Sequence, residues 1–78
     1  MAVTAASVRA WLLDNTGVDE DIADDTLIVS TAELDSFELV ELVAWLESEG
    51  GISFGPLDVN LENLDNIERM VAFVASRQ

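Results

Sequence analysis

The sequence between positions 35 and 51 reads DSFELVELVAWLESEGG and contains the strongest helical pattern in the chain. Asp35 and Glu38 have the spacing of a capping box, in which each side chain accepts a hydrogen bond from the backbone N–H of the other residue. Apolar residues then recur at the spacing of one helix face: Leu39, Leu42, Val43 and Leu46. The two glycines that follow end the pattern. This stretch predicts a helix over about 36–49 with one buried side.

Two further segments have helical periodicity. The first, over about 4–15, starts at a threonine suited to an N-cap and is followed by Gly17, which can adopt the left-handed conformation that ends a helix. The last, over about 66–76, contains Glu68, which repeats the capping-box spacing with Asp65. Each segment places apolar residues on one face, so both predict amphipathic helices.

A long acidic connection over about 18–34 separates the first two predicted helices. Its apolar run 27–29 has the length of a short strand, but no second strand is evident to pair with it, and an isolated strand is not stable. We therefore expect a loop that places Ile22 and residues 27–29 on a helical core. A loop of this length without secondary structure is uncommon and is usually functional.

Together these segments predict an all-α fold, a small four-helix bundle of three main helices and one short helix, with a long loop between the first and second helices. The short helix would be a single turn over about 58–62, after a Gly-Pro turn. A chain of 78 residues fits one domain, 1–78. Trp11 is expected in the core, and Trp45 lies one position off the core face of the second helix.

The composition excludes several classes of function. The chain has 16 acidic and 3 basic residues and a net charge of -13, so we expect no binding to nucleic acids or anionic membranes. It contains no Cys and no His, which removes disulfides, thiolate zinc sites and imidazole catalysis. No apolar run could span a bilayer, and no signal peptide is visible. We expect a cytoplasmic monomer that is not an enzyme and that meets basic partners.

Part of the acidic loop has the spacing of a calcium site. Asp19, Asp21 and Asp25 alternate as they do in an EF-hand loop. However, Asp24 occupies the position that requires Gly, and Ser30 occupies the position of the bidentate Glu. The sequence therefore predicts no specific metal site, and loose binding of divalent cations to the cluster stays open.

Ser36 directly follows the predicted cap residue of the second helix. The N-terminal end of a helix is positive, so a phosphate attached there would be electrostatically favoured. A serine at a helix start is also common and usually makes only local hydrogen bonds. The residues alone leave both interpretations open.

Residues 34–43 read LDSFELVELV and resemble the attachment region of acyl carrier proteins. That family has Asp-Ser-Leu or a close variant at the start of its second helix, followed by Val-Glu-Leu, and here Phe37 takes the place of the Leu. The resemblance extends over essentially the whole chain, because length, acidity, the long loop, a short third helix and an amphipathic last helix all agree.

The resemblance implies that Ser36 carries a 4′-phosphopantetheine arm, installed from coenzyme A by a phosphopantetheinyl transferase. Asp35 would support that transfer by helping to hold a magnesium ion. The thiol of the arm would carry acyl or aminoacyl groups as thioesters. The protein would then be a carrier without catalytic residues of its own.

Two bulky residues refine this expectation. Leu39 and Trp45 are larger than the residues often found there in fatty-acid carriers, and an inward Leu39 would shrink a cavity for a long acyl chain. The resemblance therefore favours polyketide biosynthesis or a related specialised pathway. An aminoacyl or peptidyl carrier and a fatty-acid carrier stay as alternatives, and an acidic helical module that inhibits a basic partner is the alternative from another class.

The outer side of the second helix is a predicted docking surface with a small apolar centre and an acidic rim. Its residues are Phe37, Glu38, Val40, Glu41, Ala44 and Glu47. The resemblance implies partners with basic docking surfaces, such as an acyltransferase, a ketosynthase or an adenylating enzyme. Charges at such a rim mainly set the association rate and its salt dependence.

Overall fold

The computed structural model describes residues 3–78, which form four helices: α1 (Ala5–Asn15), α2 (Ser36–Gly50), α3 (Leu61–Leu64) and α4 (Ile67–Arg77). No strand occurs within this part of the chain. The predicted all-α fold, with one short helix and a long loop between the first two helices, is confirmed. None of the helices in the described range is long and apolar enough to cross a membrane.

The core takes apolar side chains from all four helices and from the long loop. Its fully buried members are Val8, Leu12, Ile28, Leu42, Leu46, Leu64, Ile67, Met70 and Val74. The loop was expected to place apolar side chains on the core, and this is confirmed for Ile22 and Ile28. Leu27 does not follow this expectation, because its side chain is 41% exposed. Val29 is partly buried against the core.

The end of α1 differs from the prediction. Gly17 is not left-handed, since Gly51 is the one glycine with positive φ in the described residues. Instead, the backbone at Thr16 is extended, and both its N–H and its hydroxyl donate to the carbonyl of Leu12, at 2.9 and 2.7 Å. Because the threonine satisfies this terminal carbonyl twice, α1 ends without a left-handed residue.

The capping box predicted for α2 is confirmed. Asp35 Oδ1 accepts from the N–H of Glu38 at 2.7 Å, and Glu38 Oε1 accepts from the N–H of Asp35 at 3.1 Å. At the other end, Gly51 has a φ of 64° and ends the helix. Gly50 lies inside the helix, where a Cβ would approach Val74 Cγ1 to 2.7 Å. One glycine therefore ends α2, and the other allows α4 to pack closely.

The predicted position of the short helix was wrong by about three residues. Asn60 caps α3, because its side chain accepts from the N–H of Asn63 at 2.9 Å. Asp58 lies in the preceding turn instead, where its carboxylate accepts from the N–H of Gly55 at 2.8 Å. The helix therefore begins at Leu61, directly after Asn60, whose extended backbone is typical of an N-cap.

The capping box predicted at the start of α4 was also wrong. Asn66 is the N-cap, and its side chain accepts from the N–H of Arg69 at 2.7 Å. Asp65 is the C-cap of α3 with helical backbone angles, so its side chain is not placed to cap α4. Only 3% of Asp65 is exposed, and its carboxylate bonds to the long loop.

The two tryptophans contact each other at the edge of the core. The rings of Trp11 and Trp45 stack with centroids 5.9 Å apart and planes inclined by 27°. Both side chains are partly buried. The expectation that Trp11 lies within the core is therefore correct only in part, because its partly buried ring stacks on Trp45 at the border between α1 and α2.

Candidate functional site

Ser36 is the first residue of α2, and its side chain is exposed to solvent. The preceding cap residue, Asp35, is exposed as well. The N–H groups of a first helical turn have no carbonyl partner within their own helix, so the helix dipole contributes a positive potential at Ser36, beside the carboxylates of Asp35 and Glu38. The hydroxyl is open to solvent, and a phosphate joined to it would lie at the end of the helix where the dipole favours negative charge.

A compact loop leads into this site. The N–H of Leu34 donates to the carbonyl of Ile28 at 2.9 Å, and the N–H of Ala32 donates to the carbonyl of Val29 at 3.0 Å. The side chains of Ile28 and Leu34 are both buried. Ala32 has a φ of 64°, an unfavourable conformation for a residue with a Cβ. The segment Ile28–Leu34 therefore has fixed ends, and its last residue directly precedes the cap of α2.

Asp65 holds the start of this loop. Its Oδ1 accepts from the N–H groups of Val29 and Ser30, both at 2.9 Å. Its backbone carbonyl accepts from the N–H of Ile28 at 2.8 Å. We call these three hydrogen bonds the Asp65 clasp. The clasp ties the loop before Ser36 to the junction between α3 and α4.

The electrostatics of the clasp favour an ionised carboxylate. Burial opposes the charge on Asp65 and is the largest single influence on it. The hydrogen bonds from Ser30 and Val29 act in the other direction, so the pKa of this carboxyl is held below its ordinary value of 3.8. The sequence pattern did not predict this role of Asp65. The available signal was the adjacent pair Asp65 and Asn66, of which only one residue can cap α4.

An apolar groove lies beside α2, one turn beyond Ser36. It consists of two adjoining pockets of about 140 and 190 Å³. Both pockets are lined by Leu39 and Val59. The other lining residues are Val29, Val40, Val43, Asn60, Leu61 and Leu64. The predicted inward Leu39 is partly buried and forms part of the wall of this groove.

The six predicted docking residues fall into two groups in the structure. Four present exposed side chains: Phe37, Val40, Glu41 and Ala44. Phe37 and Val40 are 68% and 66% exposed, so two large apolar side chains lie on the solvent-facing side of α2. The other two acidic residues are half-buried and already engaged, because Glu38 belongs to the capping box and Glu47 Oε2 accepts from the N–H of Phe54 at 2.8 Å.

Two of the three arginines of the chain form ion pairs outside α2. Arg9 forms an ion pair with Asp24. Arg77 pairs with Asp58 at 2.6 Å, and this hydrogen bond lowers the pKa of that carboxyl. Because α2 itself contains no Lys or Arg, all charged side chains of this helix are carboxylates. No group of three His, Cys, Asp or Glu side chains that could hold a metal ion occurs in the described part of the chain.

The comparison with known families gives one match that covers most of the chain. A family model described as "Phosphopantetheine attachment site" matches residues 6–74. The matched range includes the exposed serine at the start of α2, the loop that precedes it, and α3.

Proposed function

Because the chain belongs to the phosphopantetheine attachment site family, we propose that the Ser36 hydroxyl carries its covalent 4′-phosphopantetheine arm. The observation that supports this assignment is an exposed serine on the first turn of the longest helix, directly after a capping aspartate. The helix N-terminus favours the negative charge of a phosphodiester. Asp35 uses Oδ1 for the cap, and its exposed carboxylate would support the transfer from coenzyme A.

The arm supplies a thiol that can hold an acyl group as a thioester. The polypeptide has no sulfur nucleophile of its own, since it contains no Cys. Proteins of this family act generally as carriers, and we extend this to the present chain as a carrier of acyl or aminoacyl groups without catalytic activity. The role of the chain is to present the arm on a rigid helix end to a transferase and then to partner enzymes.

Mass spectrometry of the intact protein tests the attachment site. After incubation with coenzyme A and a broad-range phosphopantetheinyl transferase, the wild-type chain should gain the mass of one phosphopantetheine. Ser36→Ala should gain none. Ser48→Ala is the matched control, because Ser48 is an exposed serine on the same helix outside the motif, and this variant should be modified like the wild type.

Two results would contradict the assignment: a wild-type chain that is not modified, or a Ser36→Ala variant that is. Full biological activity of Ser36→Ala in the cell would instead support an acidic interaction module.

The cargo that we propose is short. The core beside α2 is closed, because Leu42, Leu46 and Leu64 are at most 1% exposed. The two pockets of the groove are each close to the ~150 Å³ of a cavity that holds one benzene molecule. Neither pocket could enclose a long fatty acyl chain. This supports polyketide or related specialised biosynthesis over fatty-acid synthesis, with aminoacyl or peptidyl carriage as the alternative.

Loading assays with a panel of short acyl, aminoacyl and long acyl units test the cargo. We expect short units to be accepted by the enzymes of the same pathway. Fast elongation of long chains by a fatty-acid ketosynthase would instead favour fatty-acid synthesis over specialised biosynthesis.

The proposed docking surface is centred on Phe37 and Val40, with Glu41 as its free carboxylate. An exposed apolar pair beside a carboxylate complements an apolar patch with a basic rim on a transferase, acyltransferase, ketosynthase or adenylating enzyme. Glu41→Gln should slow association with such a partner and weaken its salt dependence. Asp14→Asn makes the same charge change on α1 and should have little effect; equal effects of both changes would count against this surface.

We also propose that the protein is a monomer and that it functions in the cytoplasm, where coenzyme A-dependent enzymes can reach it. Sedimentation of the modified chain and cell fractionation test these two points. A stable dimer, or recovery outside the cytoplasm, would contradict them.

A further inference from the structure

We propose that Asp65 is a positioning residue for the modification of Ser36 and that it acts through the Asp65 clasp. This inference rests on the proposed function of Ser36. Asp65 itself would not touch the reacting atoms. It would hold the loop Ile28–Leu34 so that the first turn of α2 is presented to the transferase in one orientation.

The clasp connects parts of the chain that are far apart in sequence. The bonds from Asp65 to Val29 and Ser30 connect residues that are 36 and 35 positions apart in the chain. Their acceptor is a buried carboxylate, and hydrogen bonds to an ionised acceptor are roughly twice as strong as neutral ones. The clasp therefore forms a strong polar link between the loop and the junction of α3 and α4.

A series of backbone hydrogen bonds leads from the clasp to the residues directly before Ser36. Ile28 donates to the Asp65 carbonyl and accepts from Leu34, so one residue joins the clasp to the far end of the loop. Leu34 is followed directly by Asp35, which caps α2. A displacement of Val29 and Ser30 would be passed through Ile28 and Leu34 to the cap residue, which directly precedes Ser36.

The first turn of α2 has one apolar contact with the core, the partly buried side chain of Leu39. Ser36 and Phe37 are exposed, and the first fully buried side chain of the helix is Leu42. The start of the helix is therefore held mainly through the loop and the capping box. Removal of the Asp65 side chain withdraws the bonds to Val29 and Ser30 and leaves the backbone bond to Ile28 in place. We expect the helix to stay folded while its first turn and the preceding loop sample several orientations.

The loss of these hydrogen bonds should change the KM and the kcat of the modification reaction differently. If only a fraction of molecules has the loop in place, the apparent affinity of the transferase falls by that fraction, while the rate of the bound complex is retained. We expect Asp65→Ala to raise the KM for the apo-carrier by about tenfold with little change in kcat. Asp65→Asn keeps an Oδ1 acceptor and should stay within about threefold of the wild type.

Hydrogen exchange supplies a readout that does not depend on modification. In Asp65→Ala, the amides of Val29 and Ser30 should exchange much faster, and the buried part of α2 around Leu42 should stay protected. Asp24→Ala is the matched control, because it breaks the ion pair with Arg9 earlier in the same long loop and leaves the clasp intact. Its KM should be that of the wild type.

The outcomes separate this inference from the proposed function. If the wild type is not modified at Ser36, the proposed function fails, and the inference fails with it. If the wild type is modified and Asp65→Ala exchanges fast at Val29 and Ser30 but keeps a wild-type KM, only the positioning role of Asp65 is overturned. An equal rise in KM for Asp24→Ala would overturn it as well. If Asp65→Ala does not fold, Asp65→Ser is measured instead, because its shorter side chain also withdraws the acceptor.

Discussion

Two segments of this chain have the same Asp-x-x-Glu pattern and use it differently. Asp35 and Glu38 form a reciprocal capping box at the exposed start of α2. Asp65 and Glu68 have the same spacing before α4, yet Asp65 is buried and bonds to the long loop, while Asn66 caps the helix. The first aspartate stabilises its own helix, and the second joins distant parts of the fold.

Backbone conformation explains the difference. An N-cap residue needs extended backbone angles. Asp35 has a φ of -84° and a ψ of 174°, which fit this need. Asp65 has a φ of -75° and a ψ of -15°, because it closes α3, so the next residue becomes the cap of α4. A capping pattern thus identifies a helix start only where no other helix ends immediately before it.

Single replacements of Asp35 and Asp65 by alanine should give the largest difference in the free energy of unfolding. Asp65→Ala removes a buried acceptor from two N–H groups, and we expect a loss of about 2–4 kcal/mol in the free energy of unfolding. Asp35→Ala removes an exposed cap and should cost about 1 kcal/mol. Urea unfolding at pH 7 measures both. Equal losses at the two positions would mean that the clasp contributes no more than an ordinary cap.

The dependence of stability on pH should distinguish the contribution of the Asp65 charge to stability from the contribution of its side-chain shape. The pKa of Asp65 is lowered on folding, so its ionised form stabilises the fold above the ordinary pKa of 3.8, and this contribution is lost as the pH falls below that value through the folded-state pKa. Asp65→Asn resembles the protonated form. We expect the wild type to be more stable than Asp65→Asn by about 1 kcal/mol at pH 7, because charge-assisted bonds are stronger.

This difference should stay constant down to about pH 5 and then shrink. Parallel unfolding series for the two proteins at several pH values measure it. A difference that grows on acidification would contradict the sign of the shift. Effects of the other carboxylates cancel in the comparison, since both proteins share them.

The smallest effect is expected at Ala32, in the loop that connects the two aspartates. Its φ of 64° is unfavourable for a side chain with a Cβ, and glycine adopts it freely. Ala32→Gly should raise the free energy of unfolding by about 0.5 kcal/mol, because the relief of strain is partly offset by the greater freedom of glycine in the unfolded chain. Thermal unfolding measures the change. A clear loss of stability would show that the loop depends on the Ala32 side chain.

The sequence predicted those features that local signals determine. Helix α2 follows from its capping box and its apolar face, and the position of Ser36 at the exposed start of the helix follows from the same stretch. The buried Asp65 could not be predicted, because its partners Val29 and Ser30 are distant in the chain and donate through their backbones, which leave no mark on side-chain patterns. The end of α1 was missed for a related reason, since a Thr16 hydroxyl replaced the expected glycine.

The stacked indoles at the border between α1 and α2 give the protein a built-in optical reporter. Rings 5.9 Å apart couple their electronic transitions, so the near-ultraviolet circular dichroism and the emission of the pair depend on how the two helices sit against each other. The chain has 2 tryptophans, and both belong to this pair. Any rearrangement that separates α1 from α2, whether on loading of cargo or on encounter with an enzyme, is therefore visible without a label.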